Sequence, residues 1–378
     1  MPQRAGAVPA TDGTGTAPPG GGPSASTAAG YAAEAARERR RRGWLRGPAT
    51  RIGGLWLLVA LTLVVCALSI AVGTRSIGLS TVWQAITDSG FGGDDAVVVR
   101  ELRVPRTLLG VLVGAALGVA GALMQGHTRN PLGDPGLLGV AAGASAAVVL
   151  AIFVLDVGSP SGYVWFAFLG ALLGSVAVFT IGSSGRGGAT PVSLALAGAA
   201  ISALLYALVQ AILISDSSTL NSYRFWVVGS LAGRDASIAW QVLPFLAVGL
   251  LLAVVNAPAL NLLGLGEDVA RGLGQNVLLA RVVGITAITL LTGAATAACG
   301  PIGFVGLVVP HVARAVTGPD HRWLLPYSGL IGIILLLTAD VVGRVLARPG
   351  EVQVGIVLAL VGAPFFVALV RRRKLVSL

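Results

Sequence analysis

Charge is scarce in this chain. Asp, Glu, Lys and Arg make up 11% of its 378 residues, while 55% are hydrophobic. Soluble domains carry about 25% charged residues, and no soluble fold of this length covers so much apolar surface with so few charges. Lysine is nearly missing: Lys374 is the only one, at the extreme C-terminus. That excludes a phosphate-binding loop ending in Gly-Lys-Ser/Thr, so the chain does not bind ATP by that motif. The two cysteines, Cys66 and Cys299, both lie in apolar runs. They are too few for a disulfide framework and lack metal-ligand spacing, and they read as small buried residues. His127, His311 and His321 stand without HExxH or carboxylate spacing. No catalytic constellation appears, and no metal site. Ionisable residues inside the apolar runs are fewer still. Only Asp340 and Arg344 qualify; four apart with the acid first, they share a helix face and can pair. No second deep acid accompanies Asp340, so a proton relay lacks its second station.

What is present is apolar length. The apolar residues lie in runs of about 18 to 24, the length a helix needs to cross about 30 Å of hydrocarbon. Lipid offers backbone amides no partners, so spans must be helices or a closed barrel. Barrel strands alternate with period two; the run from Gly54 to Val65 does not, so the chain is all-α. Ten segments follow: Gly54–Val72 and about 105–126, 136–155, 162–182, 192–214, 238–255, 282–299, 302–316, 323–346 and 352–370. The segment 302–316 is short and broken by Gly303, Gly306 and Pro310, as a half-helix packed inside protein would be. Residues 1–43, rich in Pro, Gly, Ala, Ser and Thr and then in Arg, cannot build a core and read as a disordered tail; residues 44–378 form the membrane domain.

Net charge is +10, but the basic residues sit at the ends of apolar runs, as topology demands, and do not indicate nucleic acid. Ten spans put both termini in the cytosol of an inner or plasma membrane. Eighteen of the 26 basic residues then fall in cytosolic segments, consistent with the positive-inside rule.

Small residues mark close packing. Gly110, Gly114, Gly118 and Gly121 recur at helical spacing on one face, where backbones can approach closely. A weak internal echo, Arg106 to Gly139 against Arg281 to Gly306, would place two units in opposite orientations, as inverted repeats do. Two polar breaks stand out. Asn130–Gly136 allows a tight re-entry into the third span. Asn256–Arg281 is too polar to span and longer than the roughly 2–8 residues that usually join helices. Two short helices broken at Gly266 and Gly272–Gly274 fit it, and its length suggests a docking surface.

Several long motifs occur in one order: Arg103-Val-Pro-Arg-Thr-Leu-Leu-Gly, Gly121-Ala-Leu-Met-Gln-Gly, Arg129-Asn-Pro-Leu-Gly-Asp-Pro-Gly, Gly300-Pro-Ile-Gly-Phe-Val-Gly, Ala339-Asp-Val-Val-Gly-Arg344 and Gly362-Ala-Pro-Phe-Phe366. From about residue 54 onward the chain resembles the FecCD-type permeases of importers for ferric siderophores, haem and cobalamin. The resemblance implies the type II importer permease fold with ten helices. It also implies a second permease subunit, cytosolic ATPase subunits that use the ATP, an extracytoplasmic binding protein, surrounding lipid, and no cofactor on the permease itself. It implies that Leu265, Gly266, Glu267, Asp268, Ala270, Arg271 and Gly274 couple to the ATPase. It implies that Arg103, Arg106 and Arg344 form an outward basic patch for the binding protein, and that Thr190 and Pro191 lie at the cytosolic gate. Proline at 191 departs from the polar pattern of the cobalamin permease. Ferric siderophore is the expected cargo, with haem or cobalamin as alternatives. An ion-coupled secondary transporter would need intramembrane carboxylates beyond Asp340, and a membrane enzyme would need a catalytic cluster.

Overall fold

A run of some twenty apolar residues in lipid can satisfy its amides only within itself, and helices dominate the chain accordingly. The computed structural model describes residues 44–45, 47–88, 90–185 and 190–371; the N-terminal tail and Arg372–Lys374 lie outside them. Among the described residues thirteen α-helices follow in order, with a short 3-10 turn at Pro135–Leu138 between the third and fourth: α1 (Pro48–Ala71), α2 (Leu79–Thr87), α3 (Asp94–Thr128), α4 (Val140–Leu155), α5 (Pro160–Ser183), α6 (Pro191–Ser215), α7 (Ser217–Val227), α8 (Ala236–Leu263), α9 (Glu267–Gly272), α10 (Val277–Cys299), α11 (Val305–Thr317), α12 (His321–Leu346) and α13 (Val354–Arg371). No strand occurs among the described residues. Helix starts are written in the sequence. Thr190, Asp216, Asp235, Asn276 and Asp320 each stand just before a first turn and accept from its backbone amides, satisfying donors that otherwise lack partners. At Asp235 the hydrogen bonds from Ser237 hold the carboxyl below its ordinary value.

Seven helices, α1, α3, α5, α6, α8, α10 and α12, are long and apolar enough to cross a membrane, and α4, α11 and α13 are shorter apolar helices. Each of the ten segments read from the sequence coincides with one of them. The half-helix is present: α11 has 13 residues, about 20 Å at 1.5 Å per residue. Residues 300–303 lead into it without helical structure. Cys299 is fully buried and Cys66 partly so, both as free thiols.

Two boundaries differ from expectation. The second span does not begin near Arg103. It begins at Asp94 and runs 35 residues, with a π-helical turn over Val98–Arg103 in which the Val104 amide donates to the Val99 carbonyl. That widened turn is how the helix passes Pro105, which has no amide hydrogen to give. The expected long loop is also shorter. Asn256–Leu263 continues α8 and Val277–Arg281 opens α10, leaving one six-residue helix between them. The polar side chains that suggested a loop, Asn256 and Asn261, are used in helix-to-helix hydrogen bonds.

The glycine face of α3 is the seam of the packing. A Cβ on Gly118 would stand 2.2 Å from the Ser328 carbonyl oxygen of α12, and one on Gly121 would stand 2.1 Å from that of Gly306 in α11. Large apolar side chains on α1 and α6, among them Trp56, Leu57, Leu63, Leu196 and Leu204, point away from the bundle and are exposed, as lipid-facing surface requires.

Candidate functional site

The polar groups collect at the two ends of the bundle. At one end lie residues 264–276, joined by side-chain bonds to the end of α3 and the start of α10; this is called the loop face. At the other end the C-terminus of α1, the first turns of α3 and the end of α12 meet.

At that opposite face Asp340 is 1% exposed and shared by two arginines. Arg106 approaches it edge-on, with Nε 3.0 and 3.1 Å from the two carboxylate oxygens and Nη2 2.7 Å from Oδ1. Arg344, one turn along α12, places Nη2 3.1 Å from Oδ2. The remaining edge of Arg106 donates from Nη1 to Glu351 at 2.8 Å. The last carbonyls of α1 have no amide partners of their own. Arg344 donates to those of Ser69 and Val72, both at 2.9 Å, and Arg103 to those of Ile70 and Ala71 at 2.9 and 2.7 Å. Cations at a helix C-terminus also meet its negative dipole end. The three arginines expected to receive a binding protein, Arg103, Arg106 and Arg344, are thus gathered at this one face. Arg103 and Arg344 are 5% and 3% exposed and turned inward, because the buried carboxylate and the bare end of α1 need them. The expected Asp340–Arg344 pair is present, with Arg106 as an additional partner.

At the loop face the seven expected residues divide by task. Gly266 and Gly274 have φ of +114° and +82°, a region that strains residues with a Cβ, and they set the turns on either side of α9. Ala270 is fully buried and seats the short helix. Glu267 is a hub: Arg281 of α10 and Arg129 after α3 both donate to its Oε1, the latter at 3.5 Å, and Arg271 lies 3.7 Å from Oε2. Leu265, Asp268 and Arg271 face outward, and with Val269, Leu273, Leu278 and Leu279 they make an exposed apolar patch edged by charge. Such a patch marks a surface that something covers.

Buried polar links tie α11 and the end of α8 to their neighbours. Pro310 cannot donate to the Gly306 carbonyl one turn earlier. Gln125 of α3, fully buried, donates instead to Gly306 and Leu307 carbonyls at 3.5 and 3.1 Å. Its own oxygen accepts from Arg314 at 3.1 Å. Arg314 is 2% exposed; it was not among the deep ionisable residues expected, because it falls near the end of a segment too short to look like a span. Near the loop face Asn256 meets His127 at 2.9 Å, and Asn261 bridges Asp320 and the His321 amide at 2.7 and 2.9 Å.

Thr190 and Pro191 open α6. The Thr190 hydroxyl accepts from the Ser193 amide at 3.1 Å, and Pro191 occupies the first helical position; residues 186–189 before them lie outside the described segment. One turn into α6, Leu194 lines a small cavity with Met124, His127, Leu138 and Arg281.

Comparison with known proteins places this architecture. Residues 61–372 match the FecCD transport family. The chain is 45% identical over 317 residues to the ferric enterobactin transport system permease protein FepD of Escherichia coli strain K12, covering 84% of this chain and 94% of that protein. It is 41% identical over 316 residues to the probable siderophore transport system permease protein YfiZ of Bacillus subtilis strain 168, with 84% and 94% covered. To the hemin transport system permease protein HmuU of Yersinia pestis it is 40% identical over 334 residues, with 86% and 97% covered. A solved structure of a metal-chelate type ABC transporter in an inward-facing conformation superposes with a TM-score of 0.74 at 30% identity, covering 85% of this chain and 99% of that one.

Proposed function

The chain belongs to the FecCD transport family, and from that premise we propose that it is the membrane-spanning permease subunit of an ATP-binding-cassette importer whose cargo is an iron–siderophore complex. It is a multi-pass membrane protein. The observation that carries the cargo reading is the 45% identity to a ferric enterobactin permease along nearly the whole of both membrane domains. ATP is hydrolysed by a separate subunit docked on the loop face, where exposed Leu265, Val269 and Leu273 offer an apolar seat. Glu267 passes the motion of that seat to α3 and α10 through Arg129 and Arg281. A second permease subunit completes the pathway. Thr190 and Pro191 gate its cytosolic end, supported by the cavity that Leu194 shares with His127 and Arg281. In this reading the loop face is cytosolic, as are both termini; the ten-span order, which assigns 18 of the 26 basic residues of the sequence to that side of the membrane, favours this orientation. Reporter fusions at both ends test it, and an external C-terminus would sink the ten-span topology.

The decisive experiment is uptake of labelled cargo in a strain deleted for this chain, with ferric siderophores of the catecholate and hydroxamate classes beside hemin and ferric citrate. Restored uptake of a ferric siderophore, lost when the partner ATPase is inactivated, is the expected result. Uptake of hemin alone would replace the cargo, and uptake independent of ATP would remove the importer reading. Changing Glu267 and Arg271 together to alanine is expected to abolish cargo-stimulated ATP hydrolysis while the protein still inserts; normal stimulation would refute the coupling role.

An extracytoplasmic binding protein docks on the opposite face. Of the three arginines, Arg106 is the one with a replaceable partner. Its inner edge is held by buried Asp340, but its Nη1 edge meets Glu351, which is 31% exposed. A carboxylate from the docking protein can take that place, and arginine suits it because its planar fork meets carboxylates edge-on. Glu351→Gln removes the internal competitor without touching Asp340. Tighter, more salt-sensitive association with the binding protein is expected; unchanged or weaker association would show that Arg106 is a brace only.

A further inference from the structure

Helix α2 belongs to none of these roles, and its nine residues carry three kinds of surface. Val82 and Ala85 are buried against Ile77, Ala96 and Val99. Leu79, Trp83 and Ile86 are 73%, 68% and 51% exposed. Ser80, Gln84 and Thr87 are polar and exposed. At 3.6 residues per turn the exposed apolar three fall within about 60° of one another, with the polar three about 100° round one way and the buried pair about 90° round the other. A helix wet on its whole free side has no use for a second apolar sector. Protein on one side, water on another and apolar side chains on the third is the arrangement of a helix lying in a membrane interface.

Its level agrees. Ala96 and Val99, on which α2 rests, stand seven and four residues before Arg103 on the same helix, about 6–10 Å further along its axis. Arg103 itself binds the carbonyls of Ile70 and Ala71, where α1 ends. The headgroup layer adds about 5–8 Å on each side of the hydrocarbon, and tryptophan is enriched there. Continuity names the occupant. The exposed apolar surface of α1, with Leu61, Val64 and Leu68, runs up to the same level, and α2 follows in the chain after a short link. No charged side chain interrupts α2 from Leu79 to Thr87, so what it meets is apolar rather than ionic.

We propose that α2 is an in-plane anchor that sets Leu79, Trp83 and Ile86 into the headgroup–acyl boundary of the leaflet opposite the loop face. It thereby fixes the depth of the α3 N-terminus and of the turn that carries Arg103 and Arg106. The proposal rests on the chain being a membrane permease and not on its cargo.

A spin-label scan of α2 in the full-length chain tests it, with Cys66 and Cys299 changed to alanine and the protein in phosphatidylethanolamine–phosphatidylglycerol vesicles. Labels at 79, 83 and 86 are expected to favour oxygen over a water-soluble nickel chelate, with accessibility ratios severalfold above those at 80, 84 and 87. Nickel accessibility at 83 equal to that at 84 would put the helix in water and overturn the anchor. Exclusion of both reagents at 79, 83 and 86 would mean that protein covers this face, and would overturn it equally. A label at Leu61 separates the premise from the proposal: if that site also is not oxygen-accessible, the spanning assignment of α1 fails with it.

Discussion

Asp340→Ala is expected to leave a permease that barely survives extraction from the membrane, with its thermal unfolding midpoint lowered far below that of the parent. The carboxylate is buried; among the described residues it is the only acid that Arg344 bonds, and it is the inner partner of Arg106. Removing it leaves Arg344 with no anionic partner and Arg106 with Glu351 alone, in a region of low dielectric. Breaking a buried ion pair from one side costs about 3–5 kcal/mol, against a total stability of about 5–15 kcal/mol for a typical domain. The damage should come from the abandoned cations rather than from loss of attraction. The triple change Asp340→Leu, Arg106→Met, Arg344→Met tests that distinction, since apolar replacement of a whole buried ionic group is often neutral. Recovery of much of the midpoint is expected, short of full recovery because Arg344 also caps α1. An Asp340→Ala protein as stable as the parent would show that the cluster is hydrated and the energetic reading wrong.

The second large effect is steric. Gly121→Val and Gly118→Val are each expected to abolish stable assembly, and even the alanine variants should lower the unfolding midpoint clearly. The obstacle in both cases is a carbonyl oxygen of a neighbouring helix, at 2.1 and 2.2 Å from where the Cβ would stand, and backbone cannot turn aside as a side chain can. Overpacking commonly costs about 1–3 kcal/mol, and a backbone obstacle belongs at the upper end. Gly53→Ala in α1 is the control, since nothing lies within 4 Å of its Cβ position. Equal midpoints for Gly53→Ala and Gly121→Ala, measured by fluorescence in the same detergent, would mean that α3 and α11 are not packed as described.

The spans and the glycine seam were legible because each follows from a rule local in sequence. Bilayer thickness fixes the length of an apolar run, and helical spacing puts Gly110, Gly114, Gly118 and Gly121 on one face. Even the half-helix showed itself through Gly303, Gly306 and Pro310. The fate of the arginines was not legible, since it depends on partners far along the chain. Arg106 and Asp340 are 234 residues apart, and Arg129 and Glu267 are 138 apart. A sequence shows that Arg103 flanks a span; it does not show that the end of α1 lies beside it with bare carbonyls. The loop boundaries erred for a related reason. Asn256 and Asn261 look like loop residues until His127, Asp320 and His321 are brought to them. Arg314 does not stand out in the sequence because the segment that holds it owes its place to its neighbours and not to its own hydropathy.

That last point bears on how the protein is made. At about 20 Å, α11 is shorter than the hydrocarbon it must sit in, and Arg314 in its last turn makes its insertion less favourable still. Taken by itself, such a segment is poorly held in a bilayer. It can enter only once Gln125 stands ready to receive Arg314 and the carbonyls freed by Pro310, and once Gly121 leaves room for its first turn. The expected consequence is that α11 settles between α10 and α12 late, after its neighbours are in the bilayer.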